Sequence, residues 1–423
     1  MTGGAAMNTI VHPPGEQPVH VIVGGGQAGA AAATAMREAG FSGRIVLVGA
    51  EPHLPYERPP LSKDVLVKPE SAHFSIHSDD YYTNKAIECR FGDAAVHIDV
   101  DERRLDLASG ETLGFDKLLL ATGARARSYP LLDQLGSGIF TLRTLDDAEA
   151  LRGHIWSGRR VLVVGGGVIG LEVAASAVTM GAEVTVIERG ARLMARGAPT
   201  PMVEVLTALH REKGVTFELG AELVEASRAS NREITLTAAD GRVFIGDLVV
   251  YGIGIELNVD LAISAGLRVE DGILVDEFGR TSHPCVYAAG DVARQWNPAF
   301  SSHLRFETWA NAQNQGSGVG RAMVTGERCG FDVPWYWTDQ YGHNFQVAGA
   351  HEASEWLRRG EPGVMKATLL GLVDDVVVGA FTLDNGREMR PARAMIASGF
   401  RVSDRALLAD PRADLRKVAD GRL

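Results

Sequence analysis

One strand–glycine–helix pattern occurs twice in this chain and constrains its fold more than any other feature. The first glycine run occupies residues 24–29 after the apolar residues 21–23, and the second occupies 165–170 after 161–164. Both runs have the spacing G-x-G-x-x-G, in which glycine lets the backbone turn tightly and approach a pyrophosphate at a helix N-terminus. The repetition predicts two Rossmann-like domains and two bound dinucleotides.

Each copy also carries an acidic residue after its second apolar run. Glu51 follows the residues 44–49, and Glu188 follows 183–187. An acid about 20 residues beyond the glycines can accept hydrogen bonds from ribose hydroxyls. We therefore expect both acids to bind the ribose of a dinucleotide.

The composition is that of an ordinary globular protein. The chain has 423 residues, 45% of them hydrophobic and 22% charged, which is enough for two or three domains. Its net charge of −11 argues against a nucleic acid partner. No apolar run approaches the roughly 18 residues of a membrane-spanning helix. Residues 1–18 lack the features of a signal peptide, so we expect a disordered tail and a cytoplasmic protein.

The cysteines exclude one class of enzyme. Cys89, Cys285 and Cys329 are far apart, without C-x-x-C or C-x4-C spacing. A disulfide reductase needs a redox-active cysteine pair, which this spacing does not provide. We also expect no metal site, because no His/Cys cluster has the spacing of metal ligands.

The order of the motifs predicts an insertion of one domain into another. Apolar runs that end in glycine recur at 115–123, 247–254 and 285–291, and they indicate a return of the chain to the first sheet. Strand-like runs at 364–371 and 375–383 and a helix near 393–398 indicate a further domain. The predicted domains are a first one at 19–122 and 247–329, a second at 123–246, and an α+β domain at 330–423.

Several longer motifs together resemble the FAD-dependent NADH:ferredoxin reductases of aromatic-ring dioxygenase and bacterial cytochrome P450 systems. They are Arg58-Pro59-Pro60-Leu61-Ser62-Lys63, Leu119-Leu120-Ala121-Thr122-Gly123, the second glycine run with Leu171-Glu172, Val286-Tyr287-Ala288-Ala289-Gly290-Asp291, and the segment from Glu307 to Gly316. The resemblance covers nearly everything from residue 19 onward. It implies a glutathione-reductase-like α/β fold, with an FAD domain, an inserted NADH domain and a C-terminal α+β domain.

The resemblance also assigns cofactor-binding residues. Those for FAD are Gly24, Gly26, Gly29, Glu51, Arg58, Lys63, Thr122, Gly123, Asp291 and Trp309. Those for NADH are Gly165, Gly167, Ile169, Gly170, Glu172, Glu188 and Gly254. The carboxylate of Glu188 would repel a 2′-phosphate and so favours NADH over NADPH, although Arg189 beside it is a counter-signal.

Three residues are the predicted catalytic group. The resemblance implies that Lys63 lies near the flavin N5 and pairs with Glu172, and that Trp309 packs beside the isoalloxazine. In other settings, Lys63 would be a solvated surface lysine, Glu172 a first-turn helix acid, and Trp309 a core residue. Together they predict an enzyme that oxidises NADH through FAD and passes single electrons to a [2Fe–2S] ferredoxin that feeds an oxygenase.

Two other functions and the ferredoxin-docking surface stay open at this point. An NADH oxidase of the same fold normally has a cysteine after the first unit, and residues 52–66 contain none. A redox-sensing interaction protein shares the lysine–glutamate pair. For docking an acidic ferredoxin, Arg294 and Arg305 are the candidates, with Lys68 a weaker one.

Overall fold

A computed structural model describes residues 17–230, 232–298, 301–361 and 363–419. The predicted tail at 1–18 falls almost entirely outside these residues. The strands are β1 Val19–Val23, β2 Arg44–Gly49, β3 Ile87–Phe91, β4 Ala95–Asp99, β5 Arg104–Leu107, β6 Thr112–Gly114, β7 Lys117–Leu120, β8 Ala124–Ala126, β9 Ile139–Phe140, β10 Arg160–Val164, β11 Glu183–Glu188, β12 Thr216–Leu219, β13 Leu223–Arg228, β14 Ile234–Ala238, β15 Val243–Gly246, β16 Leu248–Tyr251, β17 Ile255–Leu257, β18 Val269–Glu270, β19 Gly272–Val275, β20 Val286–Ala288, β21 Ala293–Asn297, β22 Ser302–Leu304, β23 Trp335–Gln340, β24 His343–Gly349, β25 Glu355–Arg359, β26 Ala367–Val373 and β27 Val376–Leu383.

The helices range in length from a single turn to the 17 residues of Trp309–Thr325. They are α1 Gln27–Glu38, α2 Asp64–Val67, α3 Tyr81–Asn84, α4 Pro130–Asp133, α5 Leu145–Arg152, α6 Val168–Thr179, α7 Thr200–Glu212, α8 Asp260–Ser264, α9 Trp309–Thr325, α10 Met389–Ser398, α11 Arg405–Ala409 and α12 Leu415–Ala419. Within the described part of the chain, no helix combines the length and the apolar character that crossing a bilayer requires.

The described chain forms two compact units. The first comprises residues up to Glu57, Ser75–Ala124 and Leu257–Phe331. The second comprises Arg58–Phe74, Arg125–Glu256 and the residues from Asp332 onward. Segment 58–74, which carries the motif around Lys63, therefore groups with the second unit.

The first unit is built on a parallel sheet of order β20-β7-β1-β2-β3. Its central strands β1, β2 and β7 are largely apolar on both faces, as expected for a parallel sheet covered on both sides. Alternate residues enter different cores because side chains on a strand alternate between faces. Val21 and Val46 pack into one core, and Ile22, Ile45 and Leu47 pack into the other. The unit also contains an antiparallel sheet β4-β5-β6 and a sheet β18-β19-β21-β22.

The second unit repeats the plan with a parallel sheet of order β12-β11-β10-β16-β9. It adds an antiparallel sheet β13-β14-β15 and the C-terminal antiparallel sheet β23-β24-β27-β26-β25. Two parallel sheets, each with a glycine run after a strand, and a separate C-terminal sheet confirm the predicted fold class. The runs expected at 364–371 and 375–383 are β26 and β27.

One strand lies in a different sheet from the one that the sequence pattern predicts. β16 pairs in parallel with β10, with Val161 opposite Leu248, and so belongs to the second parallel sheet. The sequence pattern predicts that residues 247–329 belong to the first domain. An apolar run ending in glycine is common to both sheets, and the pattern alone does not reveal which neighbour it pairs with. The other domain bounds stay predictions.

Helices α1 and α9 pack so closely that glycine is needed at two positions. A Cβ on Gly316 would overlap the carbonyl oxygen of Ala28, and one on Gly320 would overlap that of Ala32. Backbone atoms on one helix thus contact backbone atoms on the other. This contact holds the helix after the first glycine run against the helix that starts at Trp309.

We predict that Gly316→Ala lowers the free energy of unfolding by about 1–3 kcal/mol, because a methyl group there must push the two helices apart. Gly318→Ala on the same helix is the matched control, since its Cβ would meet only Cys329 at 3.4 Å. That control should raise stability by up to ~1 kcal/mol through helix propensity. Urea-induced unfolding measures both, and equal effects would contradict the role assigned to this helix contact.

Candidate active site

The first glycine run forms a tight turn between β1 and α1. Gly24 has a φ of +121°, and a Cβ there would overlap the carbonyl oxygen of Ala121. A Cβ on Gly29 would overlap the carbonyl oxygen of Gly24. A Cβ on Gly26 would meet nothing within 4 Å. Gly24 and Gly29 are therefore required by the turn, whereas Gly26 borders open space before α1.

The second run repeats this arrangement between β10 and α6. A Cβ on Gly165 would collide with the carbonyl oxygen of Gly252, and one on Gly170 with that of Gly165 itself. Gly167 again borders open space, and Ile169 is exposed in the first turn of α6.

Both helix ends suit an anionic ligand. Neither α1 nor α6 has a side-chain N-cap or an acidic residue in its first turn. Their first N–H groups and the positive ends of their dipoles are thus not claimed by a side chain and can bind phosphate. Together with the space beside Gly26 and Gly167, this fits two dinucleotide pyrophosphates.

The two predicted ribose-binding acids are held in different ways. Glu51 accepts a hydrogen bond from the Tyr56 hydroxyl to its Oε2 at 2.5 Å. Glu188 accepts backbone N–H bonds from Gly166 at 2.7 Å and from Gly190 at 2.6 Å. Both carboxylate oxygens of Glu188 are thus tied to backbone, and the acid braces the glycine turn itself.

Thr122 and Gly123, at the carboxyl end of β7, are fixed by Asn258. The Thr122 hydroxyl donates to the Asn258 carbonyl at 2.7 Å, and the Asn258 amide donates to the Thr122 carbonyl at 2.9 Å. The Asn258 backbone N–H also donates to the Gly123 carbonyl at 3.0 Å. Asn258 was missed from the sequence because it lies 136 residues beyond Thr122.

Asp291 follows β20 at the same end of the first parallel sheet. The preceding Gly290 donates its N–H to the side-chain oxygen of Gln315 at 2.8 Å, and Gln315 donates in turn to Gln295 at 3.1 Å. Gln315 lies on α9, so that helix orients the loop that carries Asp291.

Trp309 is the first residue of α9 and lies beside Glu57. Thr308 caps the helix by accepting the Asn311 N–H at 3.1 Å. Burial raises the pKa of the Glu57 carboxyl above its usual range, and a hydrogen bond with the Trp309 side chain opposes this effect. Glu57, which was not predicted as a site residue, thus lies next to the indole ring.

Lys63 and Glu172 form an ion pair inside the second unit. The Lys63 ammonium lies 3.2 Å from Oε1 of Glu172, and the two side chains are 15% and 3% exposed. Glu172 also accepts hydrogen bonds from the hydroxyls of Ser62 and, at 2.6 Å, of Thr338. The burial is unlike that of a solvated lysine or of an ordinary helix acid.

The loop that carries Lys63 is anchored on both sides. Ser176 of α6 donates to the Ser62 carbonyl at 2.7 Å. The half-buried Arg58 donates through Nη1 to the Arg143 carbonyl. The turn Pro59–Ser62 between them is a short 3-10 helix with proline at its start, which suits the fixed φ of that residue.

Ser62 and Thr338 contact this pair but are not among the site residues predicted from the sequence. Ser62 lies directly beside Lys63 in the quoted motif, and its position was the signal that could have found it. Thr338 comes from β23, 166 residues beyond Glu172. Only the fold brings it there.

Gly254, after β16, has two arginines beside it. A Cβ at this position would lie 3.6 Å from Nε of Arg127 and 3.7 Å from Nη2 of Arg196. These guanidiniums place positive charge near the carboxyl end of the second parallel sheet, where a dinucleotide is expected.

The docking candidates carry less net charge than the sequence suggested. Arg294 forms an ion pair with Glu270 at 2.6 Å. Arg305 pairs with Asp271 at 3.0 Å and Glu307 at 2.7 Å. Lys68 is exposed. Among the described residues, no group of three or more His, Cys, Asp or Glu side chains could bind a metal ion.

Comparisons with known proteins agree with this geometry. The sequence model of the pyridine nucleotide-disulphide oxidoreductases matches residues 18–316, and a model described as Reductase C-terminal matches residues 335–419. The chain belongs to the pyridine nucleotide-disulphide oxidoreductases. This family uses FAD and NAD(H), so the two predicted cofactors are confirmed.

A curated relative in this family is the 3-phenylpropionate/cinnamic acid dioxygenase ferredoxin–NAD(+) reductase component of Photorhabdus laumondii. It is 45% identical over 382 residues, which are 90% of this chain and 97% of the relative. The match confirms the predicted resemblance to dioxygenase ferredoxin reductases.

Two solved structures of ferredoxin reductases have the same fold. Putidaredoxin reductase, solved in a covalent complex with putidaredoxin, has a TM-score of 0.89 and 31% identity, covering 96% of this chain and 99% of that chain. The ferredoxin reductase for the CYP199A2 system from Rhodopseudomonas palustris has a TM-score of 0.88 and 33% identity, covering 95% and 99%.

We predict that Gly24→Ala and Gly26→Ala separate folding from cofactor binding. Gly24→Ala should lower the free energy of unfolding of the FAD-free protein by about 2–3 kcal/mol, because it combines an unfavourable φ with a steric overlap. Gly26→Ala should change that quantity by less than ~0.5 kcal/mol but weaken FAD binding at least about 10-fold, since its methyl group fills the space for the pyrophosphate. Urea titration and FAD fluorescence measure the two effects, and unchanged FAD affinity in Gly26→Ala would disprove the assignment.

Proposed function

We propose that this chain is an NADH:ferredoxin oxidoreductase that takes electrons from NADH through FAD and passes them singly to a [2Fe–2S] ferredoxin, which feeds an oxygenase. The observation that carries the proposal is the pair of glycine turns, each of which leaves space beside an uncapped helix end in its own unit. One chain can thus bind FAD and NADH at separate sites. When bound, FAD supplies the conversion between a two-electron hydride donor and a one-electron acceptor.

The partner follows from the relatives. The Photorhabdus protein is a ferredoxin–NAD(+) reductase component of a dioxygenase, and putidaredoxin reductase was solved bound to putidaredoxin. The three cysteines of this chain are separate and free, which supports electron transfer without a dithiol step. Free cysteines also support the proposal that the enzyme acts in the cytoplasm.

The predicted binding residues have parts that follow from their positions. The turns with Gly26 and Gly167 would hold the pyrophosphates of FAD and NADH. Glu51 and Glu188 would orient the adenosine riboses, and the carboxylate of Glu188 supports NADH rather than NADPH as the donor. Asp291 would bind the ribityl chain of FAD.

Lys63, Glu172 and Trp309 are the residues that we propose act in the reaction. The buried Glu172 carboxylate holds the Lys63 ammonium in place. The positive charge of Lys63 could then stabilise negative charge on the reduced flavin. A low-dielectric environment strengthens such a charge. Trp309, at the start of α9, would pack against the flavin on the side that the ferredoxin approaches.

Ferredoxin-dependent electron transfer tests the function directly. We predict that a [2Fe–2S] ferredoxin strongly stimulates NADH-dependent cytochrome c reduction by the purified FAD-loaded protein, since the ferredoxin carries electrons from the flavin to the cytochrome. Fast NADH consumption without stimulation by ferredoxin would indicate an oxidase instead. A slowly formed, oxygen-stable complex on addition of NADH would indicate a redox sensor.

The two half-reactions should distinguish the three residues. We predict that Lys63→Met and Glu172→Gln slow reduction of the flavin by NADH about 10-fold or more, because each removes one charge of a buried pair. Trp309→Leu should slow reoxidation by ferredoxin more than flavin reduction. Trp156→Leu, at an exposed ring over Arg159, is the control and should change neither rate in rapid-mixing experiments. Equal slowing of both half-reactions by Trp309→Leu would reduce that residue to packing.

A further inference from the structure

A chain of buried hydrogen bonds leads from Glu172 into the C-terminal sheet. It runs through side chains of β23, α7 and the turn after β23. In order, Thr338 Oγ1 lies 2.6 Å from Glu172 Oε1, Gln340 Nε2 lies 3.0 Å from Thr338 Oγ1, His210 Nε2 lies 2.6 Å from Gln340 Oε1, and the Tyr341 hydroxyl lies 2.9 Å from His210 Nδ1. All of these residues belong to the second unit.

In this series of hydrogen bonds, each donor points toward Glu172. The amide nitrogen of Gln340 donates to the Thr338 oxygen, so the single hydroxyl proton of Thr338 is directed to the carboxylate. The Gln340 oxygen then accepts from His210 Nε2, which leaves Nδ1 of the ring to accept from the Tyr341 hydroxyl. If any of these residues exchanged its donor and acceptor roles, a neighbouring side chain would lose its hydrogen bond.

Burial keeps these hydrogen bonds in this arrangement. Thr338 and His210 are fully buried, and Gln340 is 2% exposed. Burial lowers the pKa of His210 to about 4, partly offset by its hydrogen bond with Gln340, so the ring is neutral near pH 7 as an accepting Nδ1 requires. Burial also raises the pKa of the Tyr341 hydroxyl, which therefore keeps the proton that it donates.

The position of the chain follows from the alternation of β23. Thr338 and Gln340 are two residues apart, so both face the interior of the unit, where polar residues are costly unless their hydrogen bonds are made. Ser62 binds Oε2 of Glu172, whereas Thr338 and Lys63 share Oε1. The hydrogen bond from Thr338 thus fixes Oε1 of Glu172, the carboxylate oxygen that faces the Lys63 ammonium.

We infer that Thr338, held by Gln340 and His210, is a positioning residue that orients the Glu172 carboxylate against Lys63 and thereby sets the rate at which NADH reduces the flavin. This inference rests on the proposed function of Lys63 and Glu172. It gives the C-terminal sheet a part in the reductive half-reaction. Thr338 itself acts through Glu172 and need not touch either dinucleotide.

Isosteric variants test the inference. Thr338→Val keeps the shape of the side chain and removes the hydroxyl, and we expect it to slow flavin reduction by NADH about 10-fold, the effect of losing a hydrogen bond to a charged group. Thr338→Ser should restore most of the rate. Reoxidation by ferredoxin should stay within about twofold, and the midpoint potential of the bound flavin should shift in the same direction as in Glu172→Gln.

Thr382→Val is the matched control. Thr382 is a fully buried threonine of β27 in the same sheet, and the described residues offer its hydroxyl no hydrogen-bond partner. Its variant should leave both half-reactions and the flavin potential unchanged. A Thr338→Val protein that matches Thr382→Val in rate and potential would overturn the inference.

A double variant separates the inference from the function beneath it. If Thr338 acts through Glu172, Thr338→Val should slow flavin reduction no further in the Glu172→Gln background. The same additional slowing in that background would overturn the inference. If Glu172→Gln alone leaves flavin reduction unchanged, the proposed role of Glu172 fails, and the inference fails with it.

A further variant, Thr338→Cys, tests the inference if Thr338→Val does not fold. Thr338→Cys keeps a side chain of similar size with a weaker donor. The rate of flavin reduction should then fall in the order Thr338, Thr338→Ser, Thr338→Cys. A cysteine variant as fast as the parent protein would overturn the inference.

Discussion

A buried carboxylate is stable only when hydrogen-bond donors and positive charge meet it, and Glu172 is the carboxylate on which this site depends. Its three donors come from two separate segments: Ser62 and Lys63 from the loop after the first βαβ unit, and Thr338 from β23. Each bond therefore ties a distant part of the sequence to α6. The ion pair that we propose acts in the reaction is thus also one of the contacts that hold the second unit together.

Glycine supplies the other constraint, and it has two distinct uses in each dinucleotide turn. At Gly24 and Gly165 the backbone approaches a neighbouring carbonyl so closely that no side chain fits. At Gly26 and Gly167 the space is open, so packing within the fold does not require glycine there. The G-x-G-x-x-G pattern combines both uses, which explains why it marks a binding site and a fold together.

The free positive charge on the predicted docking arginines could not be inferred from the sequence, unlike the glycine turns. Arg294 and Arg305 look like free cations in the sequence, but the fold places them against Glu270, Asp271 and Glu307. Ion pairs whose acidic partners are largely exposed contribute little to stability, and these pairs lower the local positive charge available to an acidic partner. In a chain with a net charge of −11, these two arginines thus supply little unpaired positive charge.

The sequence alone determined the two glycine turns, the acids after them and the strands of the parallel sheets, because these depend on residues close together in the chain. It also determined the family, since the quoted motifs occur as a set. Only the tertiary structure decided that β16 joins the second sheet, that Gly316 and Gly320 seat α9 on α1, and that Thr338 reaches Glu172. Those contacts join residues far apart in sequence, and strand neighbours, helix crossings and buried hydrogen bonds are set by packing rather than by local pattern.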